Sequence, residues 1–358
     1  MRFNSTGKLA AIAIAATVSA CTDAPKAIAP PAEIQTSMNA NAQSHLPDWF
    51  SQASPEVLAL PNTVFADLDE AHGRLLFGVE HAQAMPAVRN ALARLGIPES
   101  AYAIVETAPI YQVATLRDVF RPTQAGIQIH FGGYLCSLGM NADDGTQRSM
   151  ITASHCTNNQ GGVEGTQYYQ PLSSTNGTVI ATEVEDPTYF KNGACPKGRV
   201  CRYSDAARAV YSSGVASNRG EIARTTGANN GSLTISATTP VFTVTSQDNI
   251  TTRFAIGTEI NKVGRTTGWT QGVVTNTCVN TNVSGTHITQ LCQTFVSNPG
   301  GAVVVQGGDS GSDVFRITSG NNVEMVGILW GGNGNGTQFV FSPLKQVRDE
   351  IGPINVVQ

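Results

Sequence analysis

Through most of this chain the apolar runs are short, and glycine, asparagine, serine or threonine closes nearly every one. Such punctuation suits short strands joined by tight turns, and it leaves no room for the long periodic stretches of a coiled coil or helical bundle. Glycine supplies 36 of the 358 residues, and charged residues make up only 13%. That is about half of the roughly 25% usual for a soluble domain. With 41% hydrophobic residues the chain is too apolar and too weakly charged to be disordered throughout. Its formal net charge of -4 offers no basic excess to replace counterions along phosphates, which argues against a nucleic-acid partner. A prior of about 150 residues per domain suggests two domains.

The one long apolar run opens the chain. Arg2 and Lys8 precede an apolar core from Leu9 to Val18, then Ser19 and Ala20. This reads as a secretory signal over residues 1–20, with a core too short to span a bilayer. The tetrapeptide Val18-Ser19-Ala20-Cys21 resembles the bacterial lipobox, whose cysteine is lipidated and becomes the mature N-terminus. Plain cleavage after Ala20 is the alternative. Residues 21–44 then read as an Ala/Pro/Gln/Asn-rich tether, so the only membrane association expected is through a lipid anchor.

There are seven cysteines. Beyond Cys21 they are Cys136, Cys156, Cys195, Cys201, Cys278 and Cys292. An even set in an exported chain suggests three disulfides, and no C-x-x-C pair suggests zinc.

Residues 45–121 differ in texture from the rest. Gly73 to Glu80 reads as a strand, and Met85, Val88, Leu92 and Leu95 form an apolar helical stripe closed by Gly96 and Pro98. Ala101 to Val113 reads as a second strand, giving a small β-α-β, α+β segment. From residue 122 to 358 strand and turn alternate. Asp144-Gly145 marks a hairpin. Later strand candidates include Ser232 to Ile235, Glu259 to Val263, Ile288 to Phe295, Ala302 to Val305, Asp313 to Ile317 and Val323 to Trp330. About a dozen strands are too many for one small sandwich and fit an all-β body of two barrels, ending in a helix marked by Leu344, Val347 and Ile351.

Three short sequences carry chemistry. Thr152-Ala153-Ser154-His155-Cys156 holds a histidine, Tyr203-Ser204-Asp205-Ala206 an acid, and Gly307-Gly308-Asp309-Ser310-Gly311 a serine in a glycine-rich turn. A serine hydroxyl is a weak nucleophile and needs a base near neutral pKa, the part His155 suits. The imidazole needs a fixed tautomer and a counter-charge, the part Asp205 suits. An oxyanion needs converging N–H donors, and glycines let the amides of Gly308 and Ser310 converge. The rival G-x-S-x-G elbow fails, because Ser312 stands two residues after Ser310.

The order His, Asp, Ser, the G-D-S-G turn and Val263-Gly264-Arg265-Thr266-Thr267-Gly268-Trp269 together resemble the chymotrypsin-type (trypsin-like) serine proteases, in the style of the bacterial streptogrisin and α-lytic branch. The resemblance covers residues 122–358. It implies two six-stranded antiparallel β-barrels with the triad between them, an exported monomeric endopeptidase acting on a peptide or protein substrate, and no metal or organic cofactor. It also implies that Cys136 pairs with Cys156. Cys195 with Cys201 and Cys278 with Cys292 are expected pairs on proximity alone. Asp309 is expected to be buried, with Arg265 as its partner in place of a freshly cut N-terminus. Ser312 departs from the glycine common in the family.

The segments expected to wall the substrate cleft, 302–306 and 328–334, carry no acid, so an uncharged, apolar substrate side chain is expected. The 45–121 segment is read as a pro-region, with a retained accessory domain as the alternative. An esterase, or a catalytically silent binding module on the same fold, completes the set of readings.

Overall fold

The computed structural model describes residues 44–358, so the signal segment, Cys21 and nearly all of the tether lie outside the described residues. Two compact units divide between Ile110 and Tyr111.

In the first unit, α1 (Leu46–Leu58) leads into β1 (Thr63–Asp69) and β2 (Arg74–Val79), followed by α2 (Met85–Arg94) and β3 (Tyr102–Glu106). The strands form one sheet in the order β1-β2-β3, with β1 antiparallel and β3 parallel to β2. Val88 and Leu92 of α2 are fully buried against a core that includes Leu75, Phe77 and Val79. Gly96 takes φ +70° just past the helix, as a C-terminal glycine should. The expected strand over 101–113 stops at Glu106, shortly before Pro109, which has no N–H to donate. The helix α1 and strand β1 escape the sequence pattern, and Pro55 inside α1 helps to hide it.

The second unit is almost all β until its last helix, with only short helical turns at Ser154–Cys156 and Ser173–Asn176. In chain order its strands are β4 (Thr123–Ala125), β5 (Gln128–Phe131), β6 (Tyr134–Ser137), β7 (Met140–Asp143), β8 (Arg148–Thr152), β9 (Gln167–Tyr168), β10 (Ala181–Glu185), β11 (Val200–Arg202), β12 (Ala207–Tyr211), β13 (Ser217–Ala223) and β14 (Val241–Gln247). They continue with β15 (Glu259–Gly264), β16 (Gly268–Asn282), β17 (Ile288–Ser297), β18 (Asp313–Ser319), β19 (Asn322–Gly332) and β20 (Gln338–Pro343), before α3 (Leu344–Ile351). Residues 111–121 belong to this unit: Leu116 is buried in its core and donates its amide to Leu233 O.

The pairings close two rings. In the first, β5 pairs with β6, which bends into β7, and the path continues through β8, β12, β10 and β9. Mutual 2.9 Å hydrogen bonds between His130 and Tyr169 return it to β5. In the second, β15, β16, β17, β20, β19 and β18 pair in turn, and β18 pairs back with β15, every pairing antiparallel. With β6 and β7 counted as one bent strand, both rings hold six strands in the same order, 1-2-3-6-5-4 along the chain. Leu344, Val347 and Ile351 pack α3 into the core.

Two expected strands are absent as such. Residues 232–235 form only isolated bridges. Residues 302–305 run as an extended segment, with Val304 O accepting from Thr270 Oγ1 and Val304 N–H donating to Gly336 O. The three disulfides join Cys136 to Cys156, Cys195 to Cys201 and Cys278 to Cys292.

Candidate active site

His155 stands on a single helical turn, Ser154–Cys156, that follows β8, and the bond to Cys136 ties this turn back to β6. Asp205 stands just before β12 and is 1% exposed. The two residues meet twice: the His155 amide donates to Asp205 Oδ1 at 3.0 Å, and His155 Nδ1 lies 3.1 Å from Asp205 Oδ2. Burial alone pulls the imidazole pKa down, but the Asp205 carboxylate outweighs it by charge and hydrogen bond, so the net direction is up. Burial likewise pushes Asp205 up, and the His155 contacts outweigh it, leaving the carboxyl below its ordinary value. Asp205 N–H donates to Ser342 Oγ of β20 at 3.0 Å, joining this pair to the second ring.

Ser310 lies in the turn before β18 and lines a cleft. Within that turn the Asp309 amide donates to Gln306 O and the Gly311 amide to Leu329 O. The amides of Gly308 and Ser310 make no hydrogen bond among the described residues. The turn leans on the first ring: Ser137 N–H donates to Ser310 O at 2.8 Å and Ser137 Oγ to Gly308 O at 3.0 Å. Gly311 has φ +83°, and a Cβ there would collide with Thr152 Oγ1 and stand 2.6 Å from Ser137 O. Only glycine fits there, so the serine turn sits directly on the strand that leads into His155.

Asp309 is fully buried, but its charge partner is not the expected Arg265. Lys262 Nζ lies 3.3 Å from Asp309 Oδ2, with both side chains at 0% exposure. The Arg265-Thr266-Thr267 turn still holds Asp309, through its threonines: the amides of Thr266 and Thr267 donate to Oδ1 at 2.9 and 3.1 Å, and Thr267 Oγ1 to Oδ2 at 2.7 Å. Arg265 itself, at the tip of the hairpin, turns its Nε to Gln128 Oε1 at 2.7 Å. The expectation fails because the lysine projects from inside β15 while the arginine sits past its end. Burial pulls the Lys262 pKa down, against the pull of Asp309. Asp313 also faces this buried region with neither carboxylate oxygen hydrogen-bonded, and burial pushes its pKa well up.

A second buried ionic group lies behind His155 and Asp205. Arg202, 1% exposed, donates to Asp186 Oδ1 at 2.6 Å, Ser154 Oγ at 3.0 Å and Ala206 O at 2.8 Å. Its Nε reaches Glu350 of α3 at 3.3 Å, and Glu350 also accepts from the amides of Tyr203 and Ser204. These bonds hold the neighbours of both His155 and Asp205. Sequence patterns missed Arg202, Asp186 and Glu350, because nothing local marks residues that meet only across the fold. Lys262 left a fainter signal, an ammonium in step with Ile260 on a strand that is buried from its second residue on.

The cleft beside Ser310 encloses about 580 Å³. Val305 and Gln306 form one side, Leu329 and the glycine-rich residues 331–336 another, and no ionisable side chain lines it. Part of each segment expected to wall the substrate cleft, Val305-Gln306 and Leu329 with residues 331–334, lines this cleft. Among the described residues no group of three or more His, Cys, Asp or Glu side chains is placed to hold a metal ion.

Neither a family model nor a curated protein matches the chain. Among solved structures it is similar to Thermobifida fusca Protease A, with 22% identity, 66% of this chain and 98% of that chain covered, and a TM-score of 0.44. It is similar to the Nocardiopsis protease NAPase at 20% identity, with 66% and 98% covered and a TM-score of 0.44. A glutamic acid specific serine protease shares 23% identity, with 63% and 96% covered and a TM-score of 0.43.

Proposed function

We propose that this chain is an exported serine endopeptidase that cleaves peptide bonds through an acyl-enzyme. Ser310 attacks the carbonyl carbon, and His155 takes the hydroxyl proton and returns it to the leaving amine. Asp205 keeps the imidazole in the tautomer with hydrogen on Nδ1 and stabilises the imidazolium. The amides of Gly308 and Ser310 receive the oxyanion; losing one such donor typically costs about 10²–10³ in rate. Water then attacks the acyl-enzyme with His155 again as base. The observation that carries the reading is the doubly bonded His155–Asp205 pair on one ring, against whose approach strand the Ser310 turn of the other ring is packed.

The uncharged cleft favours substrates with an apolar side chain beside the scissile bond. The three disulfides support export. Lipidation at Cys21 and removal of the N-terminal unit as a pro-region complete the proposal.

A fluorophosphonate probe tests it. Covalent labelling of the wild type that disappears in Ser310→Ala, with cleavage of a peptide library, is the expected result. No labelling of folded protein would leave a binding module instead, and ester turnover without peptide cleavage would leave an esterase.

A further inference from the structure

The Asp205 carboxylate has a donor that the His155 turn does not supply. Gln160 Nε2 lies 3.3 Å from Asp205 Oδ2, the same oxygen that faces His155 Nδ1. The same nitrogen donates to Tyr189 Oη at 2.6 Å. A carboxamide nitrogen carries two hydrogens, so it can serve both partners at once.

The backbone next to Gln160 is anchored. Gly161 donates its amide to Asp186 Oδ2 at 2.7 Å, and Asp186 is the buried partner of Arg202 and Ser154. Gly161 takes φ +85°, and a Cβ there would run into the Tyr189 ring. The Arg202 guanidinium in turn lies 5.5 Å from the centre of that ring. Gln160 is thus held between a fixed phenol and the edge of a buried carboxylate.

We infer that Gln160 is a positioning residue for the proposed hydrolase: braced by Tyr189, its carboxamide fixes the Asp205 carboxylate that orients His155. The inference rests on the triad reading of His155, Asp205 and Ser310. A neutral donor on Oδ2 disperses the carboxylate charge, which tempers its hold on the imidazolium, and it limits rotation of the carboxylate away from Nδ1. The other charged or titratable groups around the pair are Arg202, Asp186, Tyr189 and Glu350; of these only Tyr189 bonds to Gln160, while Arg202, Asp186 and Glu350 are held by other partners.

The test compares wild type, Gln160→Ala and Gln160→Glu in kcat and KM across pH on a peptide substrate, with thermal melting as a folding control. Losing the donor should move the acid limb of kcat/KM upward by roughly half a unit, and the like charge of Gln160→Glu should move it further. The alanine variant should lose about ten-fold in kcat, a fraction of the 10²–10⁴ a whole base supplies, with KM within about two-fold. A limb unmoved in both variants would overturn the role of Gln160, whether or not kcat falls, because a merely structural loss leaves the His155 titration alone. Wild-type protein that fails to label at Ser310 would overturn the hydrolase reading beneath it, a result distinct from the first.

Discussion

Lys262 and Asp309 form an ion pair that solvent does not reach, with Nζ 3.3 Å from Oδ2. The pair joins the middle of β15 to the turn that carries Ser310. Two charges removed from water depend on one another, because either alone would keep the desolvation cost without the attraction.

Replacing Lys262 by methionine should therefore destabilise the protein by about 3–5 kcal/mol, read as a lowered urea midpoint. Lys262→Met combined with Asp309→Asn should recover much of that loss. Arg265→Ala removes two half-buried hydrogen bonds, to Gln128 and to Thr266, and should cost only about 1–2 kcal/mol. Equal losses for Lys262→Met and Arg265→Ala would refute the assignment of Lys262 as the partner.

The His155–Asp205 contact sets a pH dependence. The base must be neutral to accept a proton, and Asp205 favours its protonated form more than burial disfavours it. Activity should therefore rise with pH through a value above the ordinary histidine figure of about 6.5. In Asp205→Asn burial acts unopposed, so the limb should move down while kcat drops by about 10⁴. A limb that stays in place in that variant would show that His155 is not the titrating group.

Gly331 lies on the cleft wall, and a Cβ built there meets nothing within 4 Å. Gly331→Val should fold normally and narrow the cleft. Turnover of peptides with phenylalanine or leucine beside the scissile bond should fall at least about ten-fold, while alanine peptides are spared; that ratio corresponds to the roughly 1–3 kcal/mol a few methylenes command in an apolar pocket. An unchanged ratio of kcat/KM between the two peptides would place the side-chain pocket elsewhere.

The strands of the second ring were legible because short apolar runs bounded by turn residues mark them locally, as in Asn322–Gly332. His155 and Ser310 stand in distinctive short sequences and Asp205 in an undistinguished one, yet the structure brings Asp205 against His155. Residues 302–305 misled, since Ala-Val-Val-Val has strand composition, but the segment spends its hydrogen bonds on Thr270 and Gly336 along the cleft. The partner of Asp309 misled for a different reason. Arg265 is the conspicuous cation of its motif, and only the register of β15 against β16 and β18 shows that Lys262 points inward. Gln160 and Arg202 act across 45 and 48 residues of sequence, on Asp205 and Ser154, and local pattern carries no trace of such contacts.

Each cysteine of the second unit is bonded to the next one along the chain, with separations of 20, 6 and 14 residues. Of the 15 ways to pair six thiols, this is the one that a polypeptide threading through a pore reaches without reshuffling. Among these six, each thiol meets its mate before the next pair has emerged. An oxidant that acts on thiols as they appear should therefore suffice to crosslink these six, and in-order pairing gives an isomerase nothing to correct among them.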